Sequence, residues 1–432
     1  MMLRFTLIPR SILVVVTAVA VALAVPALAS ADSYVLTAGK WGQKQNDAVA
    51  AAGGTVVWSH GKTGIAVVTS DDPGFADAAQ ASNAFQTATL DFEVQWIDPD
   101  AEPQVITPGD ETFFPLQWNM QAIEAPAAWA TGCTGAGARV AILDGGIYDV
   151  HADLEPNLDK GCSASFVPGQ AYNTDTGTFW HGTHVAGIVG AADNGFGVIG
   201  VAPEATLIGV KVLHSGSGSF GGVIGGILYA SDPASFGRPD CAKADIINMS
   251  LGAAFFKNQP GAGPLVGAMA QAVNFAASQG VLVISAAGNN GVDVRDFPAL
   301  TFVPADSGSG LAVSATGPVD FANGGTDFRR PASYSNFGDG FIDVAAPGGD
   351  FTLFPVGLWF QDMVLSTCRG ASAPPNFSFC FAAGTSMASP AAAGVAALIK
   401  STNPGISLGA LKSKLRNTAD DEGEAGTDSF YG

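Results

Sequence analysis

Continuous apolar runs alternate with helix-like patterns along the chain after Ala125. Six runs are apolar enough to form strands buried on both faces, namely ARVAILD, TLIGVKVL, DIINMSL, VLVISAA, GLAVSAT and FIDVAAP. Small-residue helical patterns lie between them, including HGTHVAGIVGAA, GGVIGGILYA and LVGAMAQAVNFAASQG. This alternation predicts an α/β fold, a doubly wound and mostly parallel sheet with helices on both faces. A functional site in such a fold lies outside the carboxyl ends of the strands.

A second, smaller pattern precedes this region. Between Ser33 and about Trp96 the sequence is typical of strand, helix, strand, strand, helix and strand, in the order SYVLTAG, KQNDAVAAAGG, TVVWSH, GIAVVTS, DPGFADAAQAS and DFEVQWI. We therefore predict a small α+β domain over residues 32–98. Residues 99–116 are polar and rich in proline, which predicts an exposed linker where a proteolytic cut would fall. The large domain then covers residues 117–432.

Residues 1–31 have the features of a signal peptide. Arg4 and Arg10 precede an apolar stretch from Ile12 to Val25, and small residues suited to cleavage follow from Ala27 to Ala31. Such a stretch would span about 21 Å as a helix, less than the ~30 Å hydrocarbon core of a bilayer. We expect a secreted, extracellular protein with no stable membrane anchor.

Charge and composition narrow the possible functions. The 432 residues are 47% hydrophobic, and 38 Asp and Glu against 19 Lys and Arg give a formal net charge of −19. The basic surface that nucleic-acid binding needs is therefore missing. The excess of carboxylates suits either a solvated surface or the binding of hard cations. We expect a monomer without an organic cofactor.

The cysteines predict disulfides, because export places the chain in an oxidising environment. They are Cys133, Cys162, Cys241, Cys368 and Cys380, an odd number, so at least one stays unpaired or pairs between chains. We expect Cys368 to pair with Cys380 across a proline-rich loop and Cys133 to pair with Cys162. Cys241 would then remain as a buried thiol.

Two polar residues stand next to predicted buried elements. Asp144 follows a strand directly, where a carboxylate needs a hydrogen-bond partner or a cleft, although a turn-capping role is the alternative. His181 opens a helix and is placed to face a neighbouring carboxylate. His184 follows it by three residues, a spacing that does not match a zinc-binding helix, so we predict a structural hydrogen bond for His184.

Ser386 lies at the amino end of a small-residue helix, in the run FAAGTSMASP. Free backbone N–H groups and the positive end of the helix dipole suit a nucleophilic hydroxyl there, although a plain N-cap serine is the alternative. In the predicted chemistry Ser386 attacks a carbonyl, His181 transfers the proton and Asp144 holds the imidazole. Asn289, just after a strand end, would donate its amide to the oxyanion.

Five motifs together resemble one known family. DGG at Asp144, HGTHVAG at His181, INMSLG from Ile247, AAGNNG at Asn289 and GTSMASP at Ser386 occur in the order found in subtilisin-like serine endopeptidases. The resemblance covers about residues 117–420. It implies a serine endopeptidase acting on protein or peptide substrates.

The resemblance also implies a substrate cleft with two edges, so that a peptide binds as an added strand. One edge is Gly216, Ser217 and Gly218, with Phe220 at a more distant subsite, and the other is Ser250, Leu251 and Gly252 at the primary specificity pocket. Gly216, Gly218 and Gly221 also satisfy G-x-G-x-x-G. A dinucleotide site is not favoured, because His214 and Ser215 follow the preceding strand and no ribose-binding acid stands out downstream.

A calcium site is a further implication of the resemblance. The loop from Ala192 to Val198 is similar to the calcium loop of the family, and Asp153 matches its carboxylate ligand. The implied ligands are Asp153, Asn194 and the carbonyls of Ala192, Phe196 and Val198, with Gln117 as an additional candidate. An ordinary Asn/Gly turn is the alternative.

The domain at residues 32–98 resembles the inhibitory propeptide of the family, which implies self-cleavage in the linker. A separate binding domain is the alternative. The chain departs from the family at Gly145, where Ser or Thr is usual, at Ala391, where His is frequent, and at Trp180, which is bulkier than expected. None of these changes removes a catalytic atom.

We weighed two other functions for the large domain. A catalytically inactive, peptide-binding relative is the first, but all four predicted catalytic groups are present. A lipase-like esterase is the second, but Ala388 stands where G-x-S-x-G requires glycine, and the order Asp, His, Ser also differs. We predict a secreted serine endopeptidase made as a self-processing preproenzyme, with its own propeptide as an intramolecular inhibitor.

Overall fold

The computed structural model describes residues 31–97, 104–106, 112–177, 179–370 and 377–432. The strands are β1 (Asp32–Thr37), β2 (Thr55–His60), β3 (Ile65–Ser70), β4 (Thr87–Leu90), β5 (Glu93–Gln95), β6 (Gln104–Ile106), β7 (Arg139–Asp144), β8 (Ala164–Ser165), β9 (Thr206–Lys211), β10 (Ser217–Ser219), β11 (Ile246–Met249), β12 (Ala253–Phe256), β13 (Leu282–Ala286), β14 (Leu300–Val303), β15 (Leu311–Thr316), β16 (Val344–Pro347), β17 (Val364–Cys368) and β18 (Ser378–Ala382). The helices are α1 (Gln43–Ala51), α2 (Phe75–Ala81), α3 (Trp118–Ala122), α4 (Ala125–Ala130), α5 (His181–Gly190), α6 (Phe220–Ser231), α7 (Ala262–Ser278), α8 (Thr385–Thr402) and α9 (Leu408–Asn417). The predicted signal peptide lies outside the described residues, apart from Ala31.

A seven-stranded sheet forms the centre of the large domain. Its order is β16-β15-β13-β11-β7-β9-β8, and all of its neighbouring strands are parallel. Every apolar run predicted as a strand contributes to it, which confirms the predicted fold class. The seventh strand, β8, has only two residues and leaves no periodic pattern in the sequence.

Helices cover both faces of this sheet. Small and branched residues of α5 and α8 pack on one face with the sheet residues of the largest core cluster. Helices α6 and α7 pack on the other face in a second cluster. Because glycine and alanine dominate these helices, their backbones approach the sheet closely. Among the described residues no helix has both the length and the hydropathy needed to cross a bilayer.

The amino-terminal unit is an antiparallel sheet of order β2-β3-β1-β4 with helices α1 and α2. Its core contains Tyr34, Leu36 and Phe75. One element differs from the prediction. The run DFEVQWI was expected to be the fourth strand of this sheet, but TATL, at Thr87–Leu90, takes that position. The predicted strand instead contributes β5, which pairs with β10 of the large domain.

The predicted linker contains one described strand. Residues 104–106 form β6, which pairs antiparallel with β18 in a small sheet of order β17-β18-β6. A strand of three residues is too short to show an apolar period, which explains why the sequence pattern missed it. Residues 99–103 and 107–111 of the linker, like residue 98 before it, lie outside the described residues.

The disulfides confirm one predicted pair and correct the other. Cys368 pairs with Cys380, as predicted. Cys162 pairs with Cys241 instead of Cys133, and Cys133 is a free thiol. The reason is that the cysteines lie on opposite faces of the sheet. Cys133 contacts α8, where its thiol donates to the carbonyl of Leu398 over 3.4 Å. Cys162 and Cys241 instead lie on the α6 side, beside Tyr229.

Candidate active site

Asp144 and His181 form a hydrogen-bonded pair at the carboxyl edge of the sheet. Asp144 ends β7, is 1% exposed and accepts a bond from the amide of Gly145 over 2.7 Å. His181 begins α5, and its Nδ1 lies 2.9 Å and 3.0 Å from the two carboxylate oxygens of Asp144. Gly182 permits this approach, since a Cβ atom there would lie 2.9 Å from the Cβ of Asp144.

Ser386 is held at the first turn of α8 by the strand end beside it. Its Oγ donates to the carbonyl of Ser250 over 3.3 Å, and Ser250 Oγ donates to the carbonyl of Ser386 over 2.8 Å. Two buried side chains continue this network: Asn248 Nδ2 donates to Ser250 Oγ, and Ser389 Oγ donates to Asn248 Oδ1. The network ties the end of β11 to the start of α8 and so fixes the backbone that carries Ser386.

Asn289 is oriented by its neighbour at the same helix start. Its Oδ1 accepts bonds from the amide and the hydroxyl of Thr385, over 2.9 Å and 2.8 Å. No other described residue forms a hydrogen bond with the amide nitrogen at the same end of the side chain. Asn289 Nδ2 lies 3.4 Å from the position that a Cβ would take at Gly384. The donor end therefore faces the turn that presents Ser386.

His184 has the structural environment that its spacing predicts. It is completely buried, and its Nε2 lies 2.9 Å from the carbonyl oxygen of Cys380. Burial lowers the pKa of His184 to about 3. A neutral ring that bonds to a backbone carbonyl anchors α5 and leaves His181 as the histidine that faces the cleft.

A segment of the chain itself lies between the two predicted substrate edges. Strand β5 pairs antiparallel with β10, with Gln95 opposite Ser217. The amide of Trp96 donates to the carbonyl of Gly216 over 2.9 Å. On the other side, the amide of Gly252 donates to the carbonyl of Trp96 over 3.0 Å. Residues 93–97 thus form the middle strand between these edges.

The side chain of Trp96 fills an aromatic pocket beside this segment. It is 3% exposed, and its ring centroid lies 5.1 Å from that of Phe220 and 6.3 Å from that of Phe255. Its Nε1 donates to the carbonyl of Gly218 over 2.8 Å. Phe220, which the resemblance places at a more distant subsite, thus contacts Trp96. Phe255 contacts it as well and was not among the predicted residues. Leu251 is buried in the same core cluster.

In the segment that matches G-x-G-x-x-G, the last glycine binds a carboxylate of the chain itself. The amide of Gly221, near the start of α6, donates to both carboxylate oxygens of Asp91 over 3.2 Å. A carboxylate of the amino-terminal unit thus occupies the helix start that a phosphate would need.

The residues predicted to bind calcium do gather around Asp153, but they present N–H groups to it. Asp153 is fully buried, and its oxygens accept bonds from the amide of Val198 over 2.9 Å and from Asn194 Nδ2 over 3.1 Å. The carbonyl of Ala192 accepts from the amide of Asn194, and Asn194 Oδ1 accepts from the amide of Phe196. Gln117 bonds to the backbone of Ile199. This arrangement does not match the oxygen shell of a calcium ion.

Sequence reasoning missed two charged residues beside Asp144. Lys211 ends β9, the neighbour of β7, and its side chain is completely buried. Asp175 lies in the segment before His181, and its Oδ2 lies 2.3 Å from the position of a Cβ at Gly145. The signal for Lys211 is visible in the sequence, because a lone lysine interrupts the apolar run TLIGVKVL. Asp175 has no comparable signal.

The site and the fold together define a class of protein. A buried carboxylate–imidazole pair, a serine at a helix start and an oriented amide lie at the carboxyl edge of a doubly wound sheet, which is the arrangement of a serine hydrolase. The chain belongs to the subtilase family, whose family model matches residues 135–432. It is a subtilisin-like serine endopeptidase.

Similar proteins agree with this assignment. The chain is 38% identical to alkaline elastase YaB of Bacillus sp. (strain YaB) over 331 residues, covering 76% of this chain and 70% of that protein. It is 37% identical to subtilisin Savinase of Lederbergia lenta over 318 residues, covering 73% of this chain and 95% of the relative. A protease structure from Pseudoalteromonas arctica PAMC 21717 aligns with a TM-score of 0.60 at 33% identity and covers 73% of this chain and 93% of that one. The epidermin leader peptide processing serine protease of Staphylococcus aureus, at TM-score 0.66 and 23% identity over 86% of this chain and 88% of its own, shows the shared fold.

Proposed function

We propose that the chain is made as a secreted preproenzyme that removes its own propeptide and then hydrolyses peptide bonds through an acyl-enzyme on Ser386. The observation that carries this proposal is the position of residues 93–97, which lie between Gly216–Ser219 and Gly252 as a peptide substrate would. The signal-like residues 1–31 and the two disulfides among the described residues support export.

The reaction begins with a rotation of the Ser386 side chain. Ser386 Oγ turns from the carbonyl of Ser250 toward the free ring nitrogen of His181, because hydrogen bonds of this kind tighten only when substrate binds. His181 takes the hydroxyl proton as Oγ attacks the substrate carbonyl, and later gives it to the leaving amine. Asp144 holds Nδ1 of the imidazole and stabilises its charged form. Water then hydrolyses the acyl-enzyme by the same proton transfers in reverse order.

Negative charge that develops on the substrate oxygen meets two donors. Asn289 Nδ2 is one, since Thr385 holds the other end of the same amide group. The backbone N–H at the start of α8 is the second, aided by the positive end of the helix dipole. A side-chain donor of this type contributes about 3–4 kcal/mol in subtilisin itself, a value taken from that enzyme.

The amino-terminal unit acts as an inhibitor before it is removed. Its residues 93–97 form hydrogen bonds with both substrate edges, so a peptide substrate cannot bind there at the same time. Asp91 caps the start of α6, and His60 lies against the large domain, which adds contacts that an ordinary substrate lacks. The proposed cut falls between about Asp98 and Gln117, in a stretch that is partly outside the described residues.

Mass spectrometry and amino-terminal sequencing of the secreted protein test self-processing. The wild type, Ser386→Ala and the exposed control Ser309→Ala are expressed side by side. We expect the wild type and Ser309→Ala to begin within about Asp98 to Gln117, and Ser386→Ala to keep the propeptide. Equal trimming of all three would assign the cut to a host protease. Peptidase activity in Ser386→Ala would contradict the acyl-enzyme on Ser386.

A further inference from the structure

The ammonium group of Lys211 connects two segments that border the substrate cleft. Its three N–H groups have three acceptors: the carbonyl of Gly145, the carbonyl of Leu213 at 2.7 Å and Nδ1 of His214 at 3.4 Å. Gly145 directly follows Asp144. Leu213 and His214 belong to the turn that leads into β10, where the amide of His214 bonds to the carbonyl of Ser217. One side chain thus connects the strand end that carries Asp144 to the substrate edge.

The charge of Lys211 is placed between two carboxylates. Asp144 and Lys211 are register partners on β7 and β9, so their side chains leave the sheet on the same face. The second carboxylate is Asp175, whose side chain is 7% exposed and whose Oδ1 lies 3.6 Å from Nδ1 of His214. Burial lowers the pKa of Lys211, and the carboxylates of Asp175 and Asp144 oppose this effect.

Asp175 also has a fixed position. Its Oδ1 accepts bonds from the amide of Ser215 over 3.0 Å and from the amide of Thr176 over 2.9 Å. Its Oδ2 fills the space beside Gly145 where a side chain would otherwise stand. The segment before His181, the end of β7 and the turn before β10 therefore share one buried charge cluster.

We propose that Lys211 and Asp175 are positioning residues for the proposed catalytic Asp144. Lys211 orients the strand end through Gly145 and offsets part of the negative charge that His181 meets, while Asp175 balances the buried ammonium. Neither side chain needs to touch the substrate. Their joint effect is to fix the strand end and the charge around the Asp144 carboxylate that bonds to His181. This role rests on the proposed function of the Asp144, His181 and Ser386 set.

The two residues have opposite charges, so their variants have opposite expected effects. In Lys211→Met the Asp144 carboxylate that bonds to His181 is no longer offset by a nearby cation, so the acid limb of the kcat/KM profile moves to higher pH by about one unit. In Asp175→Asn the same limb moves to lower pH. Lys211→Met also lowers kcat about tenfold or more, because the strand end that carries Asp144 loses the hydrogen bond between Lys211 and Gly145. Lys243→Met is the matched control, because this exposed lysine bonds to the backbone carbonyl of Gln279 and to no other group among the described residues.

The experiment measures kcat and KM of the processed enzymes against pH with a chromogenic peptide. It includes Ser386→Ala after an added protease has removed its propeptide and has been inactivated. Opposite shifts of the acid limb, with Lys243→Met unchanged, support the positioning role. A purely structural role would lower activity in both variants without opposite shifts, and that result overturns the proposal. If Lys211→Met is not secreted, the direction in which the acid limb shifts in Asp175→Asn decides between the positioning role and the purely structural role. Full turnover by Ser386→Ala would instead overturn the proposed triad, and with it the role of Lys211.

Discussion

At the residue scale, the site depends on glycines that let polar groups approach each other. Gly182 lets α5 begin against Asp144, and Gly145 leaves room for the carboxylate of Asp175. The family usually has Ser or Thr at position 145, so the departure noticed in the sequence has a structural counterpart in Asp175.

Gly145→Ser tests this relation. The new Cβ would lie 2.3 Å from Asp175 Oδ2, so Asp175 must move and its bond to Ser215 is disturbed. We expect a cost of about 1–3 kcal/mol and a fall in kcat/KM. Steady-state kinetics of Gly145→Ser and of Gly145→Ser with Asp175→Ala check the reason. The double variant should be the more active of the two, and a double variant that is no better would show that the clash is not with Asp175.

Asn289→Ala tests the oxyanion donor. Removing Nδ2 should lower kcat about 10²–10³-fold with little change in KM, because the bond forms only as charge develops on the oxygen. Asn323→Ala is the control, since Asn323 is exposed and, within the part of the chain that the structure describes, its side chain bonds only to Asp320. Kinetics on a peptide substrate separate kcat from KM. A rise in KM at constant kcat would show that Asn289 binds the ground state instead.

At the scale of elements, links between distant segments fix the loops around the sheet. The Cys162–Cys241 disulfide links two residues that are 79 positions apart, and it joins the segment after β7 to the segment before β11. Cys133 lies on the other face of the sheet and bonds to α8. The loop around Asp153 is closed by its own hydrogen bonds. The disulfide therefore ties together the segments that lead into β8 and β11.

Replacing both Cys162 and Cys241 by Ser should destabilise the protein by about 4 kcal/mol, since the unfolded chain gains the freedom of a long loop. Cys133→Ser should change stability by less than about 0.5 kcal/mol. Urea unfolding of the three proteins, followed by far-UV circular dichroism, measures both effects. Equal stability of the double variant and the wild type would contradict the pairing.

Calcium binding at the Asp153 loop stays a prediction, and the geometry gives it a clear test. Burial raises the pKa of Asp153 to about 6, but amide donors from Val198 and Asn194 already contact both of its oxygens. We therefore expect millimolar calcium chloride or a chelator to leave Tm almost unchanged. Differential scanning calorimetry of the wild type and of Asp153→Asn measures this. A calcium-dependent rise in the wild type alone would show that the loop turns its oxygens to the ion.

At the scale of the whole molecule, two titratable groups of the amino-terminal unit, His60 and Asp91, lie against the large domain. His60 is completely buried, lies 3.2 Å from Asp232 and stacks on Phe236. Burial lowers the pKa of His60, although Asp232 opposes this shift. Asp91 is buried at the start of α6, and burial raises its pKa to about 6. The two groups have opposite consequences for docking.

The signs follow from which state binds more protons. Burial against the large domain makes His60 harder to protonate than an exposed histidine, so His60 weakens docking as the pH falls through the ordinary histidine pKa of about 6.5. Asp91 takes a proton more readily when docked, so it strengthens docking as pH falls through about 6. The two effects partly cancel in the wild type.

Single variants in the uncut Ser386→Ala protein should separate these effects. As pH falls from 7 to 5, His60→Gln should increase the protection of residues 93–97, and Asp91→Asn should decrease it. Hydrogen exchange measured by mass spectrometry, corrected for intrinsic rates, reports this protection. The same pH slope in both variants would contradict the assignment of the two groups.

The sequence alone predicted the central sheet because its strands are buried on both faces and leave continuous apolar runs. It also predicted where Asp144, Asn289 and Ser386 lie relative to those strands and to α8. Local signals are sufficient for this, since the carboxyl ends of neighbouring parallel strands meet at one edge.

Other features depended on partners far away in the chain. Strand β5 pairs with β10 across more than a hundred residues, and Cys162 selects Cys241 over Cys133 because of the face on which each lies. The lysine in TLIGVKVL was visible, but its acceptors at Gly145 and Leu213 were not. Periodicity fixes which face of an element is buried, whereas the identity of the partner is decided only when the chain packs.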